Sequence, residues 1–264
     1  MIQRTQLGDV TDFQLSWIPS RLAGYSVHMY AVRGVLIDCG FRGVAREVAS
    51  VIKVARPRGA FLTHHHEDHA GNVELLGCAG VPVAADDATL AIVRQPQHIG
   101  LYRHIVWRSM LPLASKIVPF SDASLSLVPA PGHCDNHCCV WDDETGTLFS
   151  GDLYLGTKVQ IAHRNENPRA LVNSLRTMIV RQPARVFCAH RGLLRDGLTM
   201  LAAKADWLSE IIARADRCID AGWNDAQIRK QLFGARGFAD YFSAGDYASD
   251  NLVSAIRASR ATVG

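Results

Sequence analysis

Apolar positions along this chain follow two regimes. Up to about residue 190 they form short runs broken by glycine, proline and turn residues; beyond it they form a helical stripe. Phe13 to Ile18, Tyr25 to Val32 and Val35 to Asp38 read as strands, interrupted at Pro19, Gly24 and Gly34. Val44 to Arg56 carries Val44, Val48, Val51, Ile52 and Ala55 on one helical face. The run Ala60-Phe61-Leu62-Thr63 reads as a buried strand. A helix over Ala70 to Leu76, a strand at Val81-Pro82-Val83 and a helix over Asp86 to Arg94, capped by Asp86 or Asp87, follow it. Residues 95–116 mix Pro96, Gly100 and Pro112 with aromatic and basic residues and read as a connecting insert.

Strand patterns return at Ile117 to Phe120, Leu125 to Pro129, Cys138 to Trp141 and Leu148 to Ser150, with Asp142-Asp143-Glu144-Thr145-Gly146 as a hairpin turn. Pro168 to Val180 reads as a helix with Asn167 as its cap and proline in its first turn. Arg185 to Ala189 is a short buried strand. After about residue 195 the strands are expected to stop. Leu198, Leu201, Ala205, Leu208, Ile212, Ala215 and Ile219 then make one long apolar stripe, read as core packing, with the seam of a homodimer as the alternative. Asn224 and Gln227 form a capping box, Gly234 ends that helix, and a last helix covers Ser249 to Ser259. The expected division is a catalytic domain over 1–195 and a helical region over 196–264 that packs on or caps the site.

The chain has 264 residues, 48% of them hydrophobic, enough for a sizeable core. Its formal charge of +3 is too small to argue for nucleic-acid binding without a concentrated basic patch. Cys39, Cys78, Cys134, Cys138, Cys139, Cys188 and Cys218 are an odd, scattered set, which reads as reduced thiols. The first residues lack the apolar stretch of a signal peptide, and no run is long enough to span a bilayer. A soluble cytoplasmic protein is expected.

The most informative segment is His64-His65-His66-Glu67-Asp68-His69, which places four metal-ligand side chains within six positions. Alternate side chains of an extended run share a face, so His64 and His66 point together. Asp68 and His69 fall at the turn into the next helix. Imidazole with carboxylate suits zinc, iron or manganese, and one tetrahedral metal would leave ligands over. The segment is internal, follows a buried strand and is interrupted by acids, unlike a tag or a surface tract. Pro131-Gly132-His133, Ser150-Gly151-Asp152 and Ala189-His190-Arg191-Gly192 each add a ligand residue beside a glycine at a strand end.

Together, His64-x-His66-x-Asp68-His69, His133, Asp152 and His190 resemble the dinuclear-site pattern of the metallo-β-lactamase superfamily, and Leu36-Ile37-Asp38-Cys39-Gly40 resembles its early strand motif. The resemblance spans roughly residues 10–195 and implies a four-layer αββα sandwich, an α/β fold, with a helical C-terminal extension. It further implies that His64, His66 and His133 hold one divalent metal ion. Asp68, His69 and His190 would hold a second, with Asp152 bridging. Zinc is the expected metal, with iron or manganese as alternatives. Asp38 and His137 would stand behind the ligands, a metal-bridging hydroxide would attack the substrate, and Asp68 would orient it or pass its proton on. Relatives that reduce oxygen or nitric oxide carry an acid where this chain has His66, so redox chemistry is not expected.

The fold hosts many reactions, so it does not name the substrate. The layout resembles glyoxalase II and the quorum-signal thioesterase branch, although Arg191-Gly192-Leu193-Leu194-Arg195 does not match the glutathione-binding pattern. Hydrolysis of a thioester or ester of a small acyl substrate is therefore the expected function. Phosphodiester or RNA cleavage is the alternative, and a non-catalytic regulator that keeps the fold is the second. Tyr102, Trp107, Phe233, Phe238, Tyr241 and Phe242 are candidates for an apolar cleft, and Lys158 and Arg164 for contact with a substrate anion. His65, His28, His98, His104 and His163 read as ordinary residues.

Overall fold

The computed structural model describes residues 1–237, 240–241 and 243–260. One sheet has the order β1 (Ile2–Leu7), β2 (Val10–Leu15), β3 (Val27–Val32), β4 (Val35–Ile37), β5 (Gly59–Phe61), β6 (Val83–Ala84). The second contains β7 (Leu125–Pro129), β8 (Cys138–Asp142), β9 (Thr147–Phe149), β11 (Arg185–Cys188) and β12 (Gly192–Leu194), in the order β12-β11-β9-β8-β7. A two-stranded ribbon joins β10 (Ala162–His163) to β13 (Tyr247–Ala248).

Period-two alternation assigns each strand residue to a layer. In β3, Val27 and Met29 face outward, while Tyr30 and Val32 face the other sheet. In β11, Phe187 points inward between Val186 and Cys188, which point outward. The inner core joins Val10, Tyr30, Val32, Val35, Ile37 and Phe61 of the first sheet to Leu125, Val140, Phe149 and Phe187 of the second. The first sheet's outer face is covered by α1 (Ile18–Leu22), α2 (Ala45–Ala55), α3 (Val73–Cys78), α4 (Asp87–Arg94) and α5 (Leu101–Val106). The second carries α6 (Pro168–Val180), α7 (Gly197–Asp220), α8 (Asp225–Phe233) and α9 (Ser249–Ala258). This is a four-layer αββα sandwich with C-terminal helices.

The predicted caps are present. The Asp86 side chain accepts from Ala88 N, Asn167 from Ala170 N, and Asn224 and Gln227 close a capping box. The long stripe is spent inside the chain. Leu201, Ala205, Leu208, Ile212 and Ala215 are buried against Leu171, Leu175, Met178 and Val186, and the core runs without a break across residue 195. Each buried leucine or isoleucine contributes about 2 kcal/mol relative to exposure, more than a single cap, so packing dominates in fixing α7.

Several expectations change. Ile18 starts helix α1 instead of ending a strand, with Pro19 in its first turn. A polar first strand, β1, pairs with β2, although only Ile2 and Leu7 are partly sheltered, so no apolar run announces it. Ile117 to Phe120 makes only a bridge between Pro119 and Val83, since a proline has no N–H to extend a ladder. Strands do not stop at 195, because β13 pairs with β10. The insert carries a helical turn, α5, that reaches the site.

Candidate metal centre

Strands β4, β5 and β6 run parallel, and β7, β9 and β11 share one direction within their sheet. The loops that follow β5, β7, β9 and β11 carry the His64–His69 segment, His133, Asp152 and His190. All seven side chains converge at one edge of the sandwich. One ligand atom each from His64, His66, His133 and Asp152 lies within 4.8 Å of the others, and the same holds for Asp68, His69 and His190. Two glycines permit the approach. Gly151 has φ +49°, and a Cβ there would stand 2.7 Å from His137 Nε2; a Cβ on Gly132 would stand 2.3 Å from Leu171 N.

Partners behind the rings decide which nitrogens face the cluster. His69 Nδ1 donates to Asp38 Oδ2 at 2.8 Å. His190 Nδ1 donates to Ser26 O at 2.8 Å, and His133 Nδ1 lies 3.4 Å from Glu166 Oε1. Thr63 donates its hydroxyl proton to Asp38, so its oxygen can accept from His64 Nδ1 at 3.1 Å. The Nε2 atoms of His64, His69, His133 and His190 all face the cluster. Asp38 also accepts from Thr63 N and adopts φ +59°, pinning the end of β4 to the motif. His137 Nδ1 donates to Ala130 O, which leaves its Nε2 to accept from Asp152 N at 3.0 Å. Burial pushes His137 down to about 3, so it stays neutral in that role.

The inward atoms fit cations. His64 Nε2 and His133 Nε2 each lie 3.0 Å from His66 Nδ1, which has at most one proton to offer. His190 Nε2 faces Asp68 Oδ2 at 3.2 Å and Asp152 Oδ1 at 3.4 Å, so one ring edge meets two carboxylates at once. His69 Nε2 and Asp152 Oδ1 are buried without a hydrogen-bond partner. Burial opposes charge on His69 and His190, yet Asp152 and Asp68 outweigh it and raise both well above the usual histidine range. Burial also works against ionised Asp152, but His69 and His190 hold it well below the usual carboxylate range. His64 and His66 go the other way, lowered by burial and by neighbouring histidines. The site thus calls for positive charge on the Asp68 side and offers neutral ring nitrogens on the other.

A cavity of about 480 Å³ opens onto the cluster. Its wall includes His66, Asp68, His133, Asp152 and His190. Tyr25, Tyr102, Trp107, Ile161, Leu171, Trp207, Leu208 and Leu252 line it as well, and Ser26, Glu166, Arg191, Lys204 and Ser243 are polar members of the same wall. Tyr25 packs on Tyr102 and on Trp107, with ring centres 6.4 and 6.1 Å apart. Lys158 and Arg164 are absent from this wall. Lys158 is exposed, and Arg164 reaches toward Asp246 at 3.7 Å. Phe233 packs on the helical core and Tyr241 is exposed, while Phe238 and Phe242 lie outside the described residues. In their place Trp207, Tyr247 and Leu252 come from α7, β13 and α9.

Three contributors, Ser26, Thr63 and Glu166, were not singled out from sequence, and neither was the pairing of Glu67 with Arg103. Thr63 adjoins the motif and could have been suspected, but Glu166 and Ser26 meet their histidines only through the fold. Arg103 Nε donates to Glu67 Oε1 at 2.6 Å, both residues buried, and so ties α5 to the motif. His65 Nδ1 donates to Asn136 Oδ1 at 2.8 Å, and His28 pairs with Asp12 in the interior. All seven cysteines are free, and burial pushes the thiols of Cys39, Cys134, Cys138, Cys139 and Cys188 up, which disfavours thiolate. No described helix is long and apolar enough to cross a membrane.

Residues 24–190 match the Metallo-beta-lactamase superfamily, and the chain belongs to that superfamily. Among curated relatives, a hydroxyacylglutathione hydrolase of Thermosynechococcus vestitus is 26% identical over 56% of this chain and 55% of its own length. An atrochrysone carboxyl ACP thioesterase of Aspergillus fumigatus is 28% identical over 67% of this chain and 37% of its own length. The chain thus spans about half the length, or less, of these relatives. Among solved structures, a metallo-beta-lactamase family protein from Thermus thermophilus superposes with a TM-score of 0.65 at 17% identity, covering 96% of this chain and 94% of that one. A metallo-beta-lactamase from Pontibacter korlensis superposes with a TM-score of 0.59 at 16% identity, over 79% of this chain and 99% of that one.

Proposed function

We propose that this protein is a dinuclear metal-dependent hydrolase acting on a thioester or ester of a small acyl substrate. The observation that carries the reading is the mostly apolar cavity, with Tyr25, Tyr102, Trp107 and Trp207 in its wall, that opens directly onto the two groups of ligand atoms. Its volume suits a small organic ligand. His64, His66 and His133 would hold one cation and Asp68, His69 and His190 the other, with Asp152 between them; zinc suits this donor set best. When bound, the cations would supply a Lewis acid and a water acidified to a pKa of about 7.

The chain's own residues do the rest. Asp68 borders the cavity and is held ionised, with burial opposed by His69 and His190, so its carboxylate can accept a proton from water and return it to the leaving group. Asp38 and the Ser26 carbonyl hold Nδ1 of His69 and His190, Glu166 stands 3.4 Å from His133 Nδ1, and His137 fixes the backbone of Asp152. Tyr102, Trp107 and Trp207 would bind the acyl chain and exclude bulk water from the reacting bond. The thioesterase and hydroxyacylglutathione hydrolase among the relatives support a thioester in preference to a phosphodiester. Arg103, buried beside the motif, is engaged by Glu67 and is not free to hold a nucleic-acid backbone.

The test is turnover of acyl thioesters, lactones, β-lactams, bis-aryl phosphodiesters and short RNA by zinc-supplemented protein. Thioester cleavage without phosphodiester cleavage is expected. Phosphodiester or RNA cleavage with inert thioesters would overturn the reading, and no turnover by a fully loaded protein would favour a regulatory role.

A further inference from the structure

One buried cation stands outside the ligand set. Lys204 sits on the inward face of α7 with 4% of its surface exposed, in the wall of the same cavity as the metal ligands. Its Nζ donates to Leu153 O at 2.9 Å and stands 5.8 Å from the Tyr154 ring centre. Among the described residues no carboxylate pairs with it. An ammonium has three donors, and one is used here. Burial lowers its pKa to about 8, against the pull of Glu166 and Asp152, so it remains largely charged at neutral pH.

A buried cation without a counter-ion is unfavourable by several kcal/mol. Capping one carbonyl does not require it, because a neutral amide or hydroxyl would serve. A second cation borders the same cavity: Arg191, next to His190, donates through Nε to Leu155 O at 3.2 Å. The two side chains thus hold carbonyls two residues apart on the loop that follows Asp152, and each keeps donors in reserve beside a wall that is apolar at Ile161, Trp207 and Leu252 and polar at Ser26, Glu166 and Ser243.

We propose that Lys204 and Arg191 form an anion subsite that takes a carboxylate carried by the substrate at a distance from the reacting carbonyl. Lys204 supplies the desolvated charge and Arg191 the planar fork at the rim. The subsite deepens the hydrolase reading by making the substrate a dicarboxylic half-thioester or a similar anionic acyl compound. It rests on that reading only for the identity of the reacting group.

The experiment compares binding of glutarate and pentanoate to zinc-loaded protein by calorimetry, alongside hydrolysis of the glutaryl and pentanoyl thioesters of N-acetylcysteamine. The two acids share one carboxylate that can reach the metals and differ in the second. Wild-type protein should bind glutarate at least about tenfold more tightly than pentanoate, the scale of one charged hydrogen bond. Lys204→Met should abolish that preference with zinc content unchanged, Lys204→Arg should retain part of it, and Arg191→Gln should reduce it. Equal binding of the two acids by the wild type, or equal weakening of both by Lys204→Met, overturns the subsite. Glutarate preference without thioester turnover keeps the subsite and sinks the thioester reading; turnover without preference does the reverse.

Discussion

Asp38 Oδ2 accepts the Nδ1 proton of His69 at 2.8 Å, and this bond decides which nitrogen of His69 faces the cluster. The carboxylate is itself held by Thr63 N and Thr63 Oγ1. Removing it frees the ring to turn or to change tautomer. Asp38→Ala should weaken binding of one of the two cations by about 10- to 100-fold, the usual effect of such a partner. Competition with a chromogenic chelator measures this. Unchanged affinity at both sites would show that the bond does not orient the ligand.

His137 gives a pH signature with a definite sign. In the fold, burial holds its pKa near 3, against a reference of 6.5. The unfolded chain therefore takes up a proton that the folded chain refuses. The stability this group contributes is present above pH 6.5 and is lost as pH falls toward 3. The slope approaches about 1.4 kcal/mol per pH unit. His137→Gln, compared with wild type in denaturant titrations of chelator-treated protein between neutral pH and mild acid, should show a shallower decline. Parallel curves would contradict the assignment of a neutral, buried His137.

The Glu67–Arg103 pair links the ligand segment to the insert that builds the cavity wall. Both residues are buried, so losing one partner leaves an uncompensated charge. Arg103→Met should destabilise the protein by about 3 kcal/mol, and the double variant with Glu67→Leu should recover much of it. Urea unfolding of the two single variants and the double decides the point. A double variant as unstable as the sum of the singles would mean the two residues act independently.

The cluster of candidate ligands was legible because its members are local: four lie in one hexapeptide, and three follow apolar runs beside glycine. Most strands and helices were legible for a related reason, since Val27, Met29, Tyr30 and Val32, or Leu201, Leu208 and Ile212, repeat at the period of their element. The polar β1 was missed because it lies at a sheet edge and buries little. The residues behind the ligands were missed for a different reason. Glu166 reaches His133 from the segment before α6, and Ser26 offers only a carbonyl, which no side-chain pattern can announce. The cavity wall was half legible: Tyr102 and Trp107 belong to it, whereas Lys158 and Arg164, chosen for charge and nearness in sequence to Asp152, point elsewhere.

The central claim is that seven side chains between His64 and His190 hold a pair of cations. Metal content of the purified, zinc-supplemented protein by mass spectrometry tests it most directly, together with His64→Ala and His69→Ala, each taken from one of the two ligand groups. Two equivalents are expected for the wild type and about one for each variant. A folded wild-type protein that retains no zinc, or variants that lose none, would contradict it.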